Sequence, residues 1–150
     1  MAGNFTDSTD RAFLDYITGT SLGTWTPPVT TYIMLLTANP ATTAAVPTDP
    51  QLSELAELTA IGYSRQIATW SSSTSPSNGV SQIQNNNLLT FGPFTGASGS
   101  GSATTYGAMV NVATGTTGLV YATWSWNQSI LAPQNQTITI PIASLTFTQQ

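Results

Sequence analysis

Apolar and polar residues alternate along most of the chain after Tyr63, with the period of two that is typical of β-strands. The segment "YSRQIATWS" (63–71) shows the alternation clearly, and similar runs follow it between short polar turns. An earlier run, "VTTYIMLLT" (29–37), is more continuously apolar and predicts a largely buried strand. Further strands are predicted at 80–84, 87–91, 105–113, 119–131 and 137–149.

Two of these runs predict a β-hairpin. Residues 105–113 and 119–131 flank a short turn segment that contains Gly115 and Gly118. The closing run, "TITIPIASLTFTQ", places Ile138, Ile140 and Ile142 on one face, and its Pro141 indicates an edge strand or a bulge.

A helical period occurs near the start of the chain. Phe5, Ala12, Phe13, Tyr16 and Ile17 recur at helical spacing, which predicts a helix over about 8–18. Asp7 or Ser8 can cap this helix, and Gly19 is a natural stop.

A second, short helix is predicted near 50–58. Asp49 is placed to cap it, and Pro50 takes a first helical position. Leu52, Leu55 and Leu58 would then lie on one side of the helix.

Together these elements predict a mainly β protein. One N-terminal helix and six to eight strands with short turns are typical of an antiparallel β-sandwich or jelly roll with the helix packed on it. A length of 150 residues fits one domain, so residues 1–150 are interpreted as a single structural domain.

The low content of charged residues changes this interpretation more than any other feature of the sequence. Charged residues make up 5% of the chain, and residues 66–150 contain no Asp, Glu, Lys or Arg. With two cationic residues and a net charge of −4, the chain cannot form the basic patch that nucleic acids or anionic membranes require. No signal peptide and no membrane-spanning segment are expected from the sequence.

The titratable side chains do not suit catalysis. The chain has no His, Cys or Lys, and its six carboxylates all precede residue 60. No residue can therefore activate one of the many serines as a nucleophile, and no carboxylates are placed to face each other across a cleft. We expect a protein that is not an enzyme and that uses no metal ion or cofactor.

Arg65 is the last charged residue, and two roles are open for it. As a structural residue it would pair with one of the few acids, such as Asp15 or Glu54, and hold its strand to the N-terminal part. As a functional residue it would hold a ligand carboxylate or a partner. The structural pair is favoured because so few charges are present.

Aromatic residues are the candidates for contact with a partner or a ligand. Trp124 and Trp126 stand two apart on a predicted strand and therefore share a face. Such a pair stacks on sugars in carbohydrate-binding modules, anchors protein interfaces, or fills a core, and the last two roles are favoured. Trp70 and Tyr106 are the other interface or ligand candidates.

An uncharged β-domain is unusual, because soluble monomers protect strand edges with charged residues. Thr, Ser, Asn and Gln can donate or accept hydrogen bonds and cost little to bury when they are paired. The surface therefore predicts contact with other proteins in a fixed assembly.

The order of segments resembles a family of small virion proteins of tailed bacteriophages. The similarity lies in "MAGNFTDSTDRAFLDYITGT", "TTYIMLLTANP", "GYSRQIATW", the strand segments "NNNLLTFGPFTGASGSGSATTYGAMVN" and "GLVYATW", and "QTITIPIASLTFT". Members are often labelled tail-fibre or minor structural proteins, and similar small β-proteins act as capsid cement. The resemblance implies a virion structural role and no catalytic residues.

Two positions in the virion follow from this resemblance. The first is a decoration or cement protein on the outer surface of the head, a homotrimer that bridges subunits of the major capsid protein. The alternative is a tail-fibre or tail-associated adhesion protein that contacts host glycan through the face of Trp124 and Trp126 or the 95–104 loop. A third, less favoured hypothesis is that the protein is a carbohydrate-binding module unrelated to phages.

Overall fold

The structure, a computed structural model, describes residues 4–7, 9, 30–71, 81–95, 103–132 and 134–149. These residues form nine β-strands, a short α-helix at Pro40–Thr43 and a 3₁₀ turn at Leu52–Glu54. The strands are β1 (Asn4–Phe5), β2 (Thr31–Leu36), β3 (Gln66–Ala68), β4 (Ser81–Gln84), β5 (Leu89–Phe91), β6 (Ala103–Val110), β7 (Val120–Leu131), β8 (Ile138–Ile140) and β9 (Thr146–Gln149). The helix predicted over 8–18 lies outside the described residues, apart from Thr9.

The described strands form antiparallel sheets, so the mainly β class is confirmed. A five-stranded sheet has the order β1-β7-β6-β2-β3, and two small sheets pair β4 with β9 and β5 with β8. The predicted hairpin is present as β6 and β7, with Met109 opposite Ala122 and Gly107 opposite Trp124.

The larger hydrophobic core lies on one face of the five-stranded sheet. Cross-strand register places Ile33, Met109 and Ala122 side by side on that face. Against them pack Phe91 from β5 and Phe147 from β9, both almost fully buried. The two small sheets therefore close a sandwich over this face, as the alternation predicts for half-buried strands.

A smaller core covers the opposite face of the same sheet. Met34, Ala108 and Val110 point to this side, and Leu52 and Leu55 from the 3₁₀ segment pack on them. The segment that links β2 to β3 is therefore a cover for the second face.

The helix predicted near 50–58 is reduced to the 3₁₀ turn, and its cap is Gln51 rather than Asp49. After the turn the chain extends beside β2, where Leu58 N donates to Leu35 O at 2.9 Å and Thr37 N donates to Ala56 O at 2.8 Å. In an extended chain, residues three apart point to opposite sides. Leu55 accordingly joins the smaller core and Leu58 the larger one.

The closing run also differs from the expectation. It forms two strands, because β8 ends at Ile140 and the chain turns at Pro141, which has no N–H for a sheet ladder. Ser144 N donates to Pro141 O at 3.2 Å within this turn. Ile138 and Ile140 are buried as predicted, but Ile142 is 60% exposed.

Candidate binding groove

Trp124 and Trp126 share one face of β7, and that face is buried. They are 5% and 9% exposed, their rings meet edge to face at 5.6 Å, and Trp124 also meets Phe147 at 5.4 Å. Side chains buried in this way fill the core and cannot stack on a sugar at the surface. The aromatic platform for host glycan, which was the less favoured of the three roles, is therefore not formed by these two residues.

Trp70 also has a structural contact. Its Nε1 donates to Thr31 Oγ1 at 2.7 Å, and its ring meets Phe147 edge to face at 5.4 Å. Thr31 begins β2 and Trp70 follows β3, so the pair joins neighbouring strands at one end of the sheet.

Arg65 is paired, but with a different acid from the two predicted. Its Nε donates to Glu57 Oε1 at 2.8 Å and its Nη2 to Glu57 Oε2 at 2.7 Å, a bidentate geometry. Its Nη1 and Nη2 also donate to the carbonyls of Val112 and Gly115, at 3.1 and 2.8 Å. The hydrogen bonds that Arg65 donates to Glu57 raise the pKa of Arg65, whose side chain is 2% exposed. Arg65 therefore fixes the β6–β7 turn.

Glu54 is not the partner of Arg65, because its oxygens are used locally. They accept from Gln51 N at 2.8 Å and from Ala45 N at 3.0 Å. These two backbone hydrogen bonds lower the pKa of Glu54. The other predicted partner, Asp15, lies outside the described residues.

Tyr63 belongs to the same buried region, and its role was not predicted from the sequence. Its hydroxyl oxygen accepts from Leu35 N at 3.0 Å, and its ring stacks on Phe91 at 6.0 Å. Burial, reinforced by the nearby negative charge of Glu57, raises the pKa of Tyr63 well above its ordinary value. It therefore stays a neutral, structural phenol.

A groove of about 500 Å³ lies on the side of the five-stranded sheet that carries the smaller core. One side is formed by Phe5, the last residue of β1, and the two residues after it, Thr6 and Asp7. The other side is part of the 39–48 segment, and the base is formed by β6 and β7. We call this space the β1–β7 groove. Its three parts are distant in the sequence and meet only in the folded chain.

Strand alternation decides which side chains reach the base of the groove. Tyr106 stands opposite Ser125 in the β6–β7 ladder, and Thr123 lies on the same face as Ser125. Trp124 also borders the groove, but its indole packs on the opposite face, so it contributes backbone here. Among the four aromatic candidates, Tyr106 is thus the one whose side chain faces this groove.

The two sides of the groove are held by hydrogen bonds. Thr48 Oγ1 donates to Asp7 Oδ2 at 2.7 Å, and Asp7 N donates to Thr48 O at 3.1 Å. Asn39 Oδ1 caps the short helix by accepting from Ala41 N at 3.0 Å. These contacts fix a carboxylate and an amide at the rim, which the sequence did not single out for binding.

A second cleft, of about 480 Å³, runs along Trp126–Leu131 of β7. It lies at an irregularity in the β6–β7 ladder, where Thr104 pairs with Ile130 but Tyr106 pairs with Ser125. The residues Trp126–Ser129 therefore lie opposite the single residue Thr105. Among the described residues, those that line this cleft all belong to one strand, so they offer a ligand contacts from one side only.

The polar side chains that line the β1–β7 groove are suited to forming hydrogen bonds. Within the part of the chain that the structure describes, no group of three or more His, Cys, Asp or Glu side chains could hold a metal ion. The helices described there are too short to cross a membrane.

Comparison with protein families gives one finding. Residues 4–148 match the model of the family described as Gp80, podophage GP4 fiber I protein gp80. No match is found among curated proteins. The family match spans almost the whole chain and includes every strand described above except Gln149, the last residue of β9.

Proposed function

We propose, from the premise that the chain belongs to the family of the podophage GP4 fiber I protein gp80, that it is a component of a bacteriophage tail fibre. The family makes it a phage virion structural protein. The match over residues 4–148 is the observation that carries the proposal. A fibre family favours the tail alternative over the decoration of the head that the sequence suggested first.

The surface supports a role in assembly. Residues 66–150, which supply β3 to β9, carry no charged side chain, and Arg65 is paired with Glu57. A partner can therefore cover this surface without removing ions from water, a step that costs several kcal/mol per ion. Polar side chains such as those of Asn127 and Gln128 are exposed on β7 and can hydrogen-bond to a neighbouring protein.

In this proposal the protein acts without catalysis. Its partners are other virion proteins, further copies of the chain included, and the homotrimer expected from the sequence stays a prediction. Nucleic acid is not among the partners, because the net charge is −4 and the chain has two cationic residues.

The test is to locate the protein in the particle. Virions that carry an epitope tag on this chain would be labelled with gold-conjugated antibody and imaged, and the copy number would be measured by quantitative mass spectrometry. We expect label at the tail and a copy number set by tail symmetry. Label spread over the head, with a copy number that follows the capsid lattice, would overturn the tail position.

A further inference from the structure

We propose that Asn87 is a gatekeeper residue: its side chain closes the outer edge of β3, which would otherwise pair with the same edge of a second copy of the chain. β3 is the last strand of the five-stranded sheet and pairs with β2 on its inner side. An open strand edge presents unpaired backbone N–H and C=O groups to any strand that approaches it. The inference concerns the chain itself and applies to a position in the tail or on the head.

The side-chain amide of Asn87 bonds to two backbone groups at this edge. Its Oδ1 accepts from Thr69 N at 2.9 Å, and its Nδ2 donates to Ile67 O at 2.9 Å. An adjacent strand would offer the same combination of one C=O acceptor and one N–H donor, so the amide takes the place of such a strand. Asn87 thus extends the hydrogen bonding of the sheet, although its own backbone belongs to no strand.

Backbone pairing closes the chain immediately beyond this amide. Asn86 N donates to Thr69 O at 2.9 Å, and Ser71 N donates to Gln84 O at 2.8 Å. These bonds end where the chain bends toward β5, and Asn87 lies at that bend. The amide therefore covers the next groups of the β3 edge, which backbone pairing does not reach.

The edge is accessible to a second copy of the chain. Ile67 is 52% exposed, Leu88 is 56% exposed, and Thr69 is also exposed. Many proteins protect such an edge with Lys or another charged residue, but β3 contains none. Arg65, just before β3, has a side chain that is 2% exposed and paired with Glu57. A neutral amide is therefore the protection that the described residues provide at this edge.

Without the amide of Asn87, the edge is suited to pairing with itself. Ile67 O faces away from β2, and in an antiparallel sheet the N–H of the same residue faces the same way. Two opposite residues of an antiparallel pair can exchange both hydrogen bonds, so Ile67 can pair with the same residue of a second copy about a two-fold axis. Two β-branched side chains then lie opposite each other, which is a favourable cross-strand pair.

The experiment compares the association of the full purified chain with that of its Asn87→Ala variant over a range of concentrations, by analytical ultracentrifugation. Asn87→Ala frees Ile67 O and Thr69 N in each copy. We expect association beyond the wild-type oligomer, with an association constant at least about tenfold above that of the wild type. Asn127→Ala is the matched control and should associate like the wild type, because Asn127 is exposed on β7, which β6 and β2 separate from β3.

A charge on β3 should replace the missing amide. In the double variant with Asn87→Ala and Ile67→Lys, a lysine stands on the open edge, and we expect the wild-type association state to return. Hydrogen exchange measures the same edge: the Thr69 amide should be protected in the wild type and exchange faster in a dilute solution of Asn87→Ala. If Asn87→Ala does not fold, Asn87→Leu takes its place, because it keeps the size of the side chain and removes the amide.

Four results would each overturn the proposal. The folded Asn87→Ala variant could keep the wild-type association state, or associate no more strongly than Asn127→Ala. Its association could persist when Ile67→Lys is added, or the Thr69 amide could exchange freely in the wild type. Because all the measurements are made on the isolated chain, none of these results affects the proposed position in the tail fibre.

Discussion

At the scale of single residues, Gly107 and Trp124 pack closely against each other in the five-stranded sheet. They stand opposite each other on β6 and β7, and the indole lies directly over the glycine. A Cβ added to Gly107 would lie 2.5 Å from Cε2 and Cζ2 of Trp124. Glycine at this position is therefore required by the ring opposite it.

Replacing Gly107 by Ala should destabilise the protein by ~1–3 kcal/mol, the cost of overpacking a well-filled core, as measured by urea unfolding. Trp124→Phe should recover part of this cost in the double variant, because the smaller ring leaves room for the new methyl group. The buried indole N–H of Trp124 has no hydrogen-bond partner among the described residues, so Phe loses none.

Gly115→Ala is the control for the double-mutant cycle of Gly107→Ala and Trp124→Phe. Its Cβ would meet nothing within 4 Å, but its φ of 84° strains any other residue. We expect a cost of about 1 kcal/mol from the backbone alone, and no coupling to Trp124. Equal coupling of both alanines to Trp124→Phe would contradict the steric account of Gly107.

Removing the partner of Arg65 tests the buried ion pair. Glu57→Gln leaves the guanidinium 2% exposed with no carboxylate, and we expect a loss of about 3 kcal/mol in the free energy of unfolding. Glu54→Gln is the matched control and should leave Arg65 untouched, because Glu54 bonds to backbone N–H groups. A larger loss from Glu54→Gln than from Glu57→Gln would contradict the assigned pairing.

Glu54 should instead affect how the free energy of unfolding depends on pH. Its pKa is lowered from 4.5 in the folded chain by hydrogen bonds from Gln51 and Ala45 N–H groups, so the folded state favours the ionised carboxylate. Its contribution is complete above about pH 4.5 and is lost as the pH falls through the lower folded-state value. As the pH decreases, the free energy of unfolding should fall more steeply for the wild type than for Glu54→Gln. If it falls in parallel for the two proteins, Glu54 makes no such contribution.

At the scale of elements, Asn85 holds the turn that separates β8 from β9. It is 1% exposed, and its Nδ2 donates to the carbonyls of Asn87 and Pro141, both at 2.9 Å. Its Oδ1 accepts from Leu145 N at 2.8 Å. One side chain therefore satisfies three backbone groups, one in the β4–β5 connection and two in the β8–β9 connection.

Asn85→Ala should lower the free energy of unfolding by roughly 3 kcal/mol, because buried backbone groups lose their partners. Hydrogen exchange should accelerate first at the Leu145 amide and leave the β6–β7 ladder protected in the native state. Asn86→Ala, at an exposed neighbouring position, should have a much smaller effect. Uniform acceleration across both sheets would show that Asn85 has no local role.

Elements could be predicted from the sequence where local pattern and pairing agree. The β6–β7 hairpin joins partners that are adjacent in the chain, so alternation and turn residues suffice. The spacing of Leu52, Leu55 and Leu58 fits a helix as well as it fits the observed turn and extended chain. The extended chain is stabilised by hydrogen bonds to β2, which is distant in the sequence. Long-range pairing of that kind leaves no local signal.

The candidate site was less predictable than the fold. Alternation correctly gave Trp124 and Trp126 a common face, but did not say whether that face was buried. Tyr106 was singled out as an aromatic residue, with no indication of a groove. Asp7, Asn39 and Thr48 meet only because the 39–48 segment folds back on the end of β1.

At the scale of the whole molecule, the charges are confined to one part of the chain. Every acid and base precedes residue 66, although β4 to β9 all follow it. Contacts made by that later part must rely on hydrogen bonds and apolar surface. Exposed apolar side chains such as Leu88 and Leu131 are available for such contacts.

Attachment of the protein to the virion should therefore depend little on salt. Ionic strength weakens contacts between exposed charges, whose interaction is screened beyond about 10 Å at ~0.1 M salt, and it leaves neutral hydrogen bonds almost unchanged. Virions incubated in increasing sodium chloride should retain the chain, as measured by sedimentation and quantitative blotting, whereas urea should release it. If salt alone detached the chain, the few charges before residue 66 would hold it, and the uncharged strands would not be the contact surface.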